Sequence, residues 1–394
     1  MKKVFLVKYG EIAIKGKNRY LFENRLVDNI KKNLKELGHF VTKKEQGRIM
    51  VEPIEDTLID ERAVIDKLSR IFGIVGIAYG LKEEEVSMEA IKRLAYAQMN
   101  KECSNQAITF KVETRRADKR FPLNSMEVSA QIGEYLLTEL QGKVKVDVHH
   151  PDVLLMVELR SSAYVYATTY KGAGGMPYGT NGQATLLLSG GIDSPVAGWM
   201  VAKRGVEIDA VYFHSPPYTS ERAKDKVVDL AKKVAQYTGS MKVHVVPFTE
   251  IQMTIYEKCP HIQLTLIMRR IMMRIAEKIA RMNNSKALIT GESIGQVASQ
   301  TLQSLVVTDH VVNMPVFRPL IGFDKEEIVQ ISKKIDTYET SILPYEDCCT
   351  IFVPKHPETK PRLDIIENSE EILKDTLEQM IESAISQMEI IQII

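Results

Sequence analysis

The chain has 394 residues and carries 52 Lys and Arg against 51 Asp and Glu, so its net charge at pH 7 is only +1. A hydrophobic content of 44% with four cysteines excludes a disordered chain and a disulfide framework, and it is typical of a multidomain globular protein in a reducing compartment. Its apolar runs are too short to span a bilayer, so we expect a cytoplasmic protein that does not contact membranes.

The balanced total hides an uneven distribution of charge along the chain. Residues 1–48 carry thirteen Lys and Arg against five Asp and Glu, whereas residues 361–394 carry two against eight. A basic N-terminal part favours a polyanionic partner at that end of the molecule, although a solvated basic surface has the same composition.

Residues 1–80 are predicted to form a ferredoxin-like domain with the order β-α-β-β-α-β. The predicted strands and helices that carry this order cover Lys3–Lys8, Asn18–Leu37, Gln46–Val51, Ile59–Ile71 and Gly73–Tyr79. Four basic residues of the first helix and the loop before it could contact phosphate or simply solvate the helix, and these are Lys15, Lys17, Arg19 and Arg25.

Residues 81–171 are predicted to form a second α+β domain. Its predicted elements cover Ser87–Met99, Ala107–Glu113, a helix capped by Asn124 or Ser125 that runs to about Gln141, Val144–Val148, Val153–Glu158 and Ala163–Thr169. The loop Thr114–Arg120 contains four candidate RNA-binding residues, namely Arg115, Arg116, Lys119 and Arg120. A strand that leads into a basic loop, followed by a helix and three strands, resembles the THUMP domain of RNA-modifying enzymes.

A segment with five glycines and a proline, residues 172–182, opens the predicted third domain, residues 172–394. Strands are predicted at Thr185–Leu188, Ile208–Phe213, Lys242–Val246 and Lys286–Thr290, and helices at Pro195–Lys203, Ser220–Tyr237, Gln263–Met282 and Lys325–Lys334. This alternation predicts a doubly wound, mostly parallel sheet, in which ligands bind beyond the carboxyl ends of the strands.

The loop SGGIDS connects the first of these strands to its helix. Its glycines let the backbone approach an anion, and N–H groups at a helix N-terminus favour phosphate. The loop lacks the Lys of a mononucleotide P-loop and the G-x-G-x-x-G spacing of a dinucleotide fingerprint. It resembles the PP-loop of ATP pyrophosphatases, which cleave ATP between the α and β phosphates, and we assign the pyrophosphate to Ser189, Gly190, Gly191, Asp193 and Ser194. An ordinary glycine-rich turn is the alternative.

Three further side chains are candidates for chemistry at this cleft. Asp193 could share a Mg²⁺ ion with the phosphates or could cap the helix that follows. Lys325 begins a helix behind the predicted cap Asp324, where a cation opposes the helix dipole, so we expect it to serve a function. Cys348 and Cys349 form either a reactive thiol site or a pair of small buried residues.

Over nearly its whole length the chain resembles the ThiI family of tRNA 4-thiouridine synthetases, with SGGIDS and RPLIGFDKEEI as the specific motifs. The resemblance implies that ATP adenylates O4 of the uridine at tRNA position 8 and that a cysteine persulfide then delivers sulfur to C4. Asp193 and Lys325 would act in adenylation, and Cys348 would carry sulfur loaded by a cysteine desulfurase. The family also transfers sulfur to the sulfur-carrier protein of thiamine thiazole synthesis.

The same resemblance implies contacts to adenine and ribose from Leu187, Leu188, Tyr212, Phe213, Arg269, Gly291 and Gln300. Many members end in a rhodanese domain with a second cysteine, but no cysteine follows Cys349 and the acidic helix predicted over Asn368–Met388 is too short for that domain. The resemblance is therefore to a short form, in which either the persulfide forms directly on Cys348 or Cys349 or another protein supplies the rhodanese step. A homodimer is compatible with the sequence. The alternative functions are a small-molecule adenylating ligase or amidotransferase and a non-catalytic RNA-binding module.

Overall fold

The computed structural model describes residues 1–45, 47–54, 59–103, 107–352 and 357–394, without the side chains of residues 349 and 350. The chain divides into two compact units, Met1–Pro177 and Tyr178–Ile394. Within the described residues, no helix is long and apolar enough to cross a membrane.

The first unit is built on a mixed sheet. Its strands are β1 (Lys2–Tyr9), β2 (Phe40–Glu45), β3 (Arg48–Pro53), β4 (Ile74–Glu83), β5 (Ile108–Arg116), β6 (Val144–Val146), β7 (Val153–Leu159) and β8 (Ala163–Lys171). Its helices are α1 (Arg19–Leu34), α2 (Glu61–Arg70), α3 (Met88–Glu102) and α4 (Ser125–Glu139). In the described part of this unit the strands form one eight-stranded sheet in the order β2-β3-β1-β4-β8-β7-β5-β6.

The order of the first four strands confirms the predicted ferredoxin-like fold, including β2, a strand that the sequence analysis did not locate. β4 pairs with β1 on one side and with β8 on the other, so the sheet continues from residues 1–80 into residues 81–171. Asn124, one of the two predicted caps, is the N-cap of helix α4 and forms a capping box with Glu127.

Both faces of this sheet contain buried residues. On one face, Phe5 packs with Leu26 of α1 and Val64 of α2. On the opposite face, side chains from strands that are not neighbours in the sheet contact each other. Arg48 of β3 donates to Glu158 of β7 at 2.6 Å. Four strand spacings separate β3 from β7, about 19 Å in a flat sheet. Because the two side chains together cannot span that distance, the sheet must be strongly curved.

The second unit is a doubly wound sheet, as predicted. Its strands are β9 (Gln183–Leu187), β10 (Glu207–His214), β11 (Met241–Pro247), β12 (Leu288–Ile289), β13 (Val316–Phe317) and β14 (Glu389–Ile393). In the described part of this unit they form a six-stranded sheet in the order β13-β12-β9-β10-β11-β14. The pairs are parallel except that β14 runs antiparallel to β11.

Helices connect these strands and extend beyond them. They are α5 (Asp193–Ala202), α6 (Glu221–Thr238), α7 (Thr249–Lys258), α8 (Leu264–Met282), α9 (Leu302–Asp309), α10 (Lys325–Lys334), α11 (Tyr338–Ser341), α12 (Cys348–Ile351), α13 (Leu363–Glu370) and α14 (Lys374–Ser386). The long helix α8 packs Ile267, Ile271 and Ile275, all fully buried, into the core beside Val211 and Val246 of the sheet.

The acidic C-terminal segment, predicted as one amphipathic helix over Asn368–Met388, is divided in the structure. It forms α13 and α14 and returns into the sheet as β14. The carboxylate of Glu370 is buried and pairs with Arg270 and Arg274 of α8, and Lys278 of the same helix pairs with Glu378. The negative charge of this segment therefore balances a basic helix of its own unit, which explains part of the uneven charge distribution.

Candidate active site

A cavity of about 450 Å³ lies at the carboxyl ends of β9, β10 and β12. Parallel strands place their carboxyl ends on one edge, so segments far apart in sequence meet there. The predicted site residues that line the cavity are Leu187, Leu188, Ser189, Asp193, Ser194, Tyr212, Phe213, Arg269, Gly291, Gln300 and Cys348. Gly190, Gly191 and Lys325 are not among the lining residues, but each lies next to one that is.

The SGGIDS loop forms a tight turn between β9 and α5. The Ser194 hydroxyl accepts the N–H of Ser189 at 2.9 Å, and the Ser189 hydroxyl accepts the N–H of Gly191 at 3.3 Å. Helix α5 begins at Asp193 and the residue at its N-cap is Ile192, so the alternative role of Asp193 as a helix cap is not seen. Pro195 is the third residue of the helix, within the first turn, where a missing N–H costs little.

Gly291 explains how the loop is held against the end of β12. A Cβ atom at this position would lie only 2.8 Å from the backbone nitrogen of Ser194. A side chain there would force the first turn of α5 away from the strand. Glycine is therefore required for this close approach.

Asp193 and Lys325 form an ion pair beside the loop. The Lys325 ammonium donates to Asp193 Oδ1 at 2.6 Å although 132 residues separate them, and Gln296 Nε2 donates to Oδ2 at 2.8 Å. Asp324 caps α10 in a capping box with Glu327, as predicted. The pairing with Asp193 offsets the unfavourable interaction of Lys325 with the helix dipole, and it leaves the ammonium half-exposed at the edge of the site.

Cys348 is buried at the cavity wall, 4% exposed, and its carbonyl oxygen accepts from Gln252 Nε2 at 2.7 Å. The residue before it, Asp347, reaches the SGGIDS loop, and its two carboxylate oxygens accept the N–H of Gly190 at 2.9 and 3.2 Å. Burial raises the pKa of Asp347, against the opposing effects of the Gly190 N–H and of Lys226. The sequence analysis did not predict this contact, because nothing in the local pattern links residues 157 positions apart.

A second network missed by the sequence analysis surrounds Glu292. Its carboxylate accepts from the Thr290 hydroxyl at 2.8 Å and from Arg318 Nε at 2.6 Å, and it pairs with Arg269. Arg269 also donates to the Ser299 hydroxyl at 3.3 Å. The predicted nucleotide contact Arg269 is therefore held at the cavity by a buried carboxylate, and Arg318, within the RPLIGFDK motif, supports that carboxylate.

The predicted RNA-binding residues of the first unit divide into two groups. Lys15, Lys17 and Lys119 are exposed. Four of the arginines make local contacts: Arg19 with Glu23 and Tyr9, Arg115 with Glu113, Arg116 with the carbonyl oxygens of Phe121 and Leu123, and Arg120 with Asp118. Hydrogen bonds from Arg120 lower the pKa of Asp118 to about 2.

The position of Arg115 and Arg116 also corrects the predicted loop. Strand β5 extends through both residues, because its parallel pairing with β7 continues as far as Arg116 and Leu159. Arg25 is half-buried on α1. Contact with RNA stays a prediction for the whole set.

Three family models match the chain. They are the ThiI ferredoxin-like domain over residues 4–78, the THUMP domain over residues 85–168, and the thiamine biosynthesis protein ThiI over residues 179–374. The first two cover residues that the sequence analysis placed in the ferredoxin-like and THUMP domains. The boundaries drawn there at 80 and 171 stay predictions, since β4 crosses the first of them.

Two relatives named as probable tRNA sulfurtransferases match 100% and 94% of this chain. The chain is 56% identical to a probable tRNA sulfurtransferase of Agathobacter rectalis, covering 100% of this chain and 99% of the relative. It is 59% identical to one of Caldanaerobacter subterraneus, covering 94% and 95%. A crystal structure of a 4-thiouridine synthetase in complex with RNA and bound ATP is 39% identical and superposes with a TM-score of 0.91 over 100% of both chains. The chain thus belongs to the ThiI family of tRNA sulfurtransferases.

Proposed function

We propose that this protein makes 4-thiouridine at position 8 of tRNA by adenylating uridine O4 with ATP and then replacing that oxygen with persulfide sulfur. The observation that carries the proposal is one cavity that brings together the SGGIDS loop, the Asp193–Lys325 pair and Cys348. A phosphate-binding loop alone would suit a small-molecule ligase equally well. A buried cysteine at the wall of the same cavity supports sulfur transfer to C4, the carbon whose oxygen has been adenylated.

In the first step, uridine O4 attacks the α-phosphorus of ATP. The bond from that phosphorus to the bridging oxygen breaks, and pyrophosphate leaves with the electron pair. The amides of the SGGIDS loop and the N-terminus of α5 favour the charge of the leaving group. The half-exposed ammonium of Lys325 lies next to the loop, where it can stabilise charge on the transferring phosphoryl group.

In the second step, the terminal sulfur of a Cys348 persulfide attacks C4 of the adenylated uridine. The C4–O4 bond breaks and AMP leaves. A second thiol then attacks the Cys348 sulfur, so that a disulfide forms and both electrons of the broken S–S bond stay with the sulfur on C4. Cys349 is one candidate for that thiol; its side chain lies outside the described residues.

Magnesium at Asp193 stays a prediction that this arrangement does not favour. Both carboxylate oxygens already accept hydrogen bonds, from Lys325 and from Gln296. We therefore derive the adenylation step from the ammonium and the backbone amides.

The partners of this reaction follow from the family. We propose tRNA as substrate, a cysteine desulfurase as the source of the persulfide, and the sulfur-carrier protein of thiamine thiazole synthesis as a second acceptor. Full-length similarity to a 4-thiouridine synthetase that binds RNA and ATP supports the first of these. The homodimer and the cytoplasmic location stay predictions from the sequence.

One assay tests the proposal against its alternatives. The protein is incubated with ATP, unmodified tRNA, cysteine and a desulfurase, and AMP and the absorbance of thiolated uridine are measured. We expect AMP that depends on RNA, together with sulfur incorporation. AMP formed without RNA would point to a small-molecule adenylating enzyme, and no AMP at all would point to an RNA-binding module.

A further inference from the structure

The carboxylate of Asp347 lies where the loop is expected to bind an anion. Gly190 lies at the centre of the SGGIDS turn, and its N–H donates to both carboxylate oxygens of Asp347. A carboxylate and a phosphate accept hydrogen bonds from such amides in the same way. Asp347 thus serves the loop as an internal anion.

Lys226 completes this contact. Its aliphatic carbons lie 3.3 Å from the position that a Cβ of Gly190 would occupy, and its ammonium donates to the carbonyl oxygen of Leu343 at 2.8 Å. Burial lowers the pKa of Lys226, and the nearby Asp347 carboxylate opposes that shift. The loop, the carboxylate and the ammonium form one half-buried charge cluster, here called the Asp347 cluster (Gly190, Lys226 and Asp347).

Pyrophosphate and Asp347 cannot both occupy the Gly190 amide. The N–H is a single donor, and two anions within a few ångströms of each other repel strongly in a partly buried site. Lys226 provides positive charge for either anion. Cys348 follows Asp347 directly in the chain, so any backbone shift that displaces the carboxylate also moves the buried thiol.

We propose that Asp347 is a positioning residue that makes the location of Cys348 depend on whether the SGGIDS loop holds pyrophosphate. With ATP or pyrophosphate bound, Asp347 leaves the Gly190 amide and Cys348 moves from the cavity wall. When pyrophosphate departs, the carboxylate returns and brings Cys348 back beside the adenylated uridine. The inference rests on the proposed function only in assigning the ATP phosphates to this loop.

This exclusion would set the order of the two chemical steps. Before adenylation, uridine C4 carries no leaving group, so a persulfide held at the cavity wall during ATP binding cannot transfer its sulfur. The competition delays the approach of Cys348 until the adenylated uridine has formed and pyrophosphate has left. A ligand that binds one of two exclusive states shifts their populations by its differential affinity, and the effect is reciprocal.

The test uses inorganic pyrophosphate and ATP as probes of the full-length protein. Binding is measured by calorimetry, and alkylation of Cys348 by iodoacetamide is followed by peptide mass spectrometry that resolves it from Cys349. Asp347→Ala removes the competing anion, and Asp347→Asn keeps the side-chain size should the alanine variant fail to fold. Glu346→Gln is the matched control, because Glu346 is the neighbouring acid and is exposed.

In the parent protein and in Glu346→Gln we expect pyrophosphate to accelerate alkylation of Cys348 several-fold. In Asp347→Ala and Asp347→Asn alkylation is fast without pyrophosphate and changes little when it is added. Both Asp347 variants bind pyrophosphate more tightly, by about three- to tenfold, because no carboxylate has to be displaced.

Two results would overturn the inference and leave the proposed function intact. In one, pyrophosphate and ATP bind the parent protein but the alkylation rate of Cys348 does not change. In the other, the Asp347 variants bind pyrophosphate no more tightly than Glu346→Gln. If neither probe binds the parent protein, the assignment of the phosphate loop fails, and the proposed function and this inference fall together.

Discussion

The cavity residues of the second unit and the basic residues of the first unit were both predicted from the sequence, but the contacts that they make in the structure differ. At the cavity, residues from separate segments meet around one volume, and polar side chains such as Asp193 and Glu292 bind partners distant in sequence. In the first unit, Arg116 and Arg120 bind groups only a few residues away. A motif at the end of a parallel strand has a position imposed by topology, whereas a run of basic residues does not.

The largest effect is expected from removal of the Cys348 thiol, which tests whether the segments that meet at the cavity form one active site. In Cys348→Ser we expect 4-thiouridine formation to fall on the order of 10³-fold, because a hydroxyl cannot carry a persulfide. Pyrophosphate release, which belongs to the first step, continues, since the loop and Lys325 are intact. Thiolated uridine and pyrophosphate are measured in the same reaction. Cys103→Ala removes a buried thiol of the first unit as control, and full thiolation by Cys348→Ser would assign the sulfur to another cysteine.

Breaking the Asp193–Lys325 ion pair beside the SGGIDS loop is expected to have the next largest effect. Lys325→Met should lower the rate of AMP formation about 10²- to 10³-fold, because it removes the ammonium that we propose stabilises charge on the transferring phosphoryl group. Lys334→Met, in the last turn of the same helix, is the matched control and should keep the parental rate. Steady-state AMP release measures both. Equal losses in the two variants would show that the effect comes from the helix and not from the position of the charge.

The close approach at Gly291 tests whether the loop must touch β12. Gly291→Ala should lower the free energy of unfolding by about 1–3 kcal/mol and weaken ATP binding, since its Cβ would overlap the first turn of α5. Gly322→Ala is the control, because a Cβ there meets no atom within 4 Å. Denaturant unfolding and ATP titration measure the two effects. Parental stability and affinity in Gly291→Ala would show that the loop tolerates a wider spacing.

The smallest effects are expected for substitutions of the basic residues in the first unit, where the exposed lysines and the arginines with local contacts should behave differently. Lys119→Ala should weaken tRNA binding without changing stability, and it should lower the salt dependence of the affinity by about one ion. Arg116→Ala should instead lower the free energy of unfolding by about 1–2 kcal/mol, because two half-buried carbonyl oxygens lose their donor. Affinities at several salt concentrations and unfolding curves distinguish these outcomes. The reverse assignment would place RNA contact on the arginine.

Prediction from sequence succeeded where a pattern has few structural solutions. Alternating strands and helices imply right-handed parallel crossovers, and these place SGGIDS, Tyr212 and Gly291 at one edge. It failed for short or irregular segments, such as the two-residue strand β13, and for β14, which comes after a segment with a helical pattern. Their strand character comes from pairing with neighbours and not from their own periodicity.

The sequence by itself determined the class of the domains, the phosphate-type loop and the residue types that could carry the chemistry, because these depend on local patterns and motif spacing. Only the tertiary structure decided that Lys325 binds Asp193, that Glu292 holds Arg269, and that Asp347 occupies the Gly190 amide. The physical reason is that a side chain's electrostatic partner is set by distance in space. Long-range packing creates that distance, and no local signal in the chain encodes it.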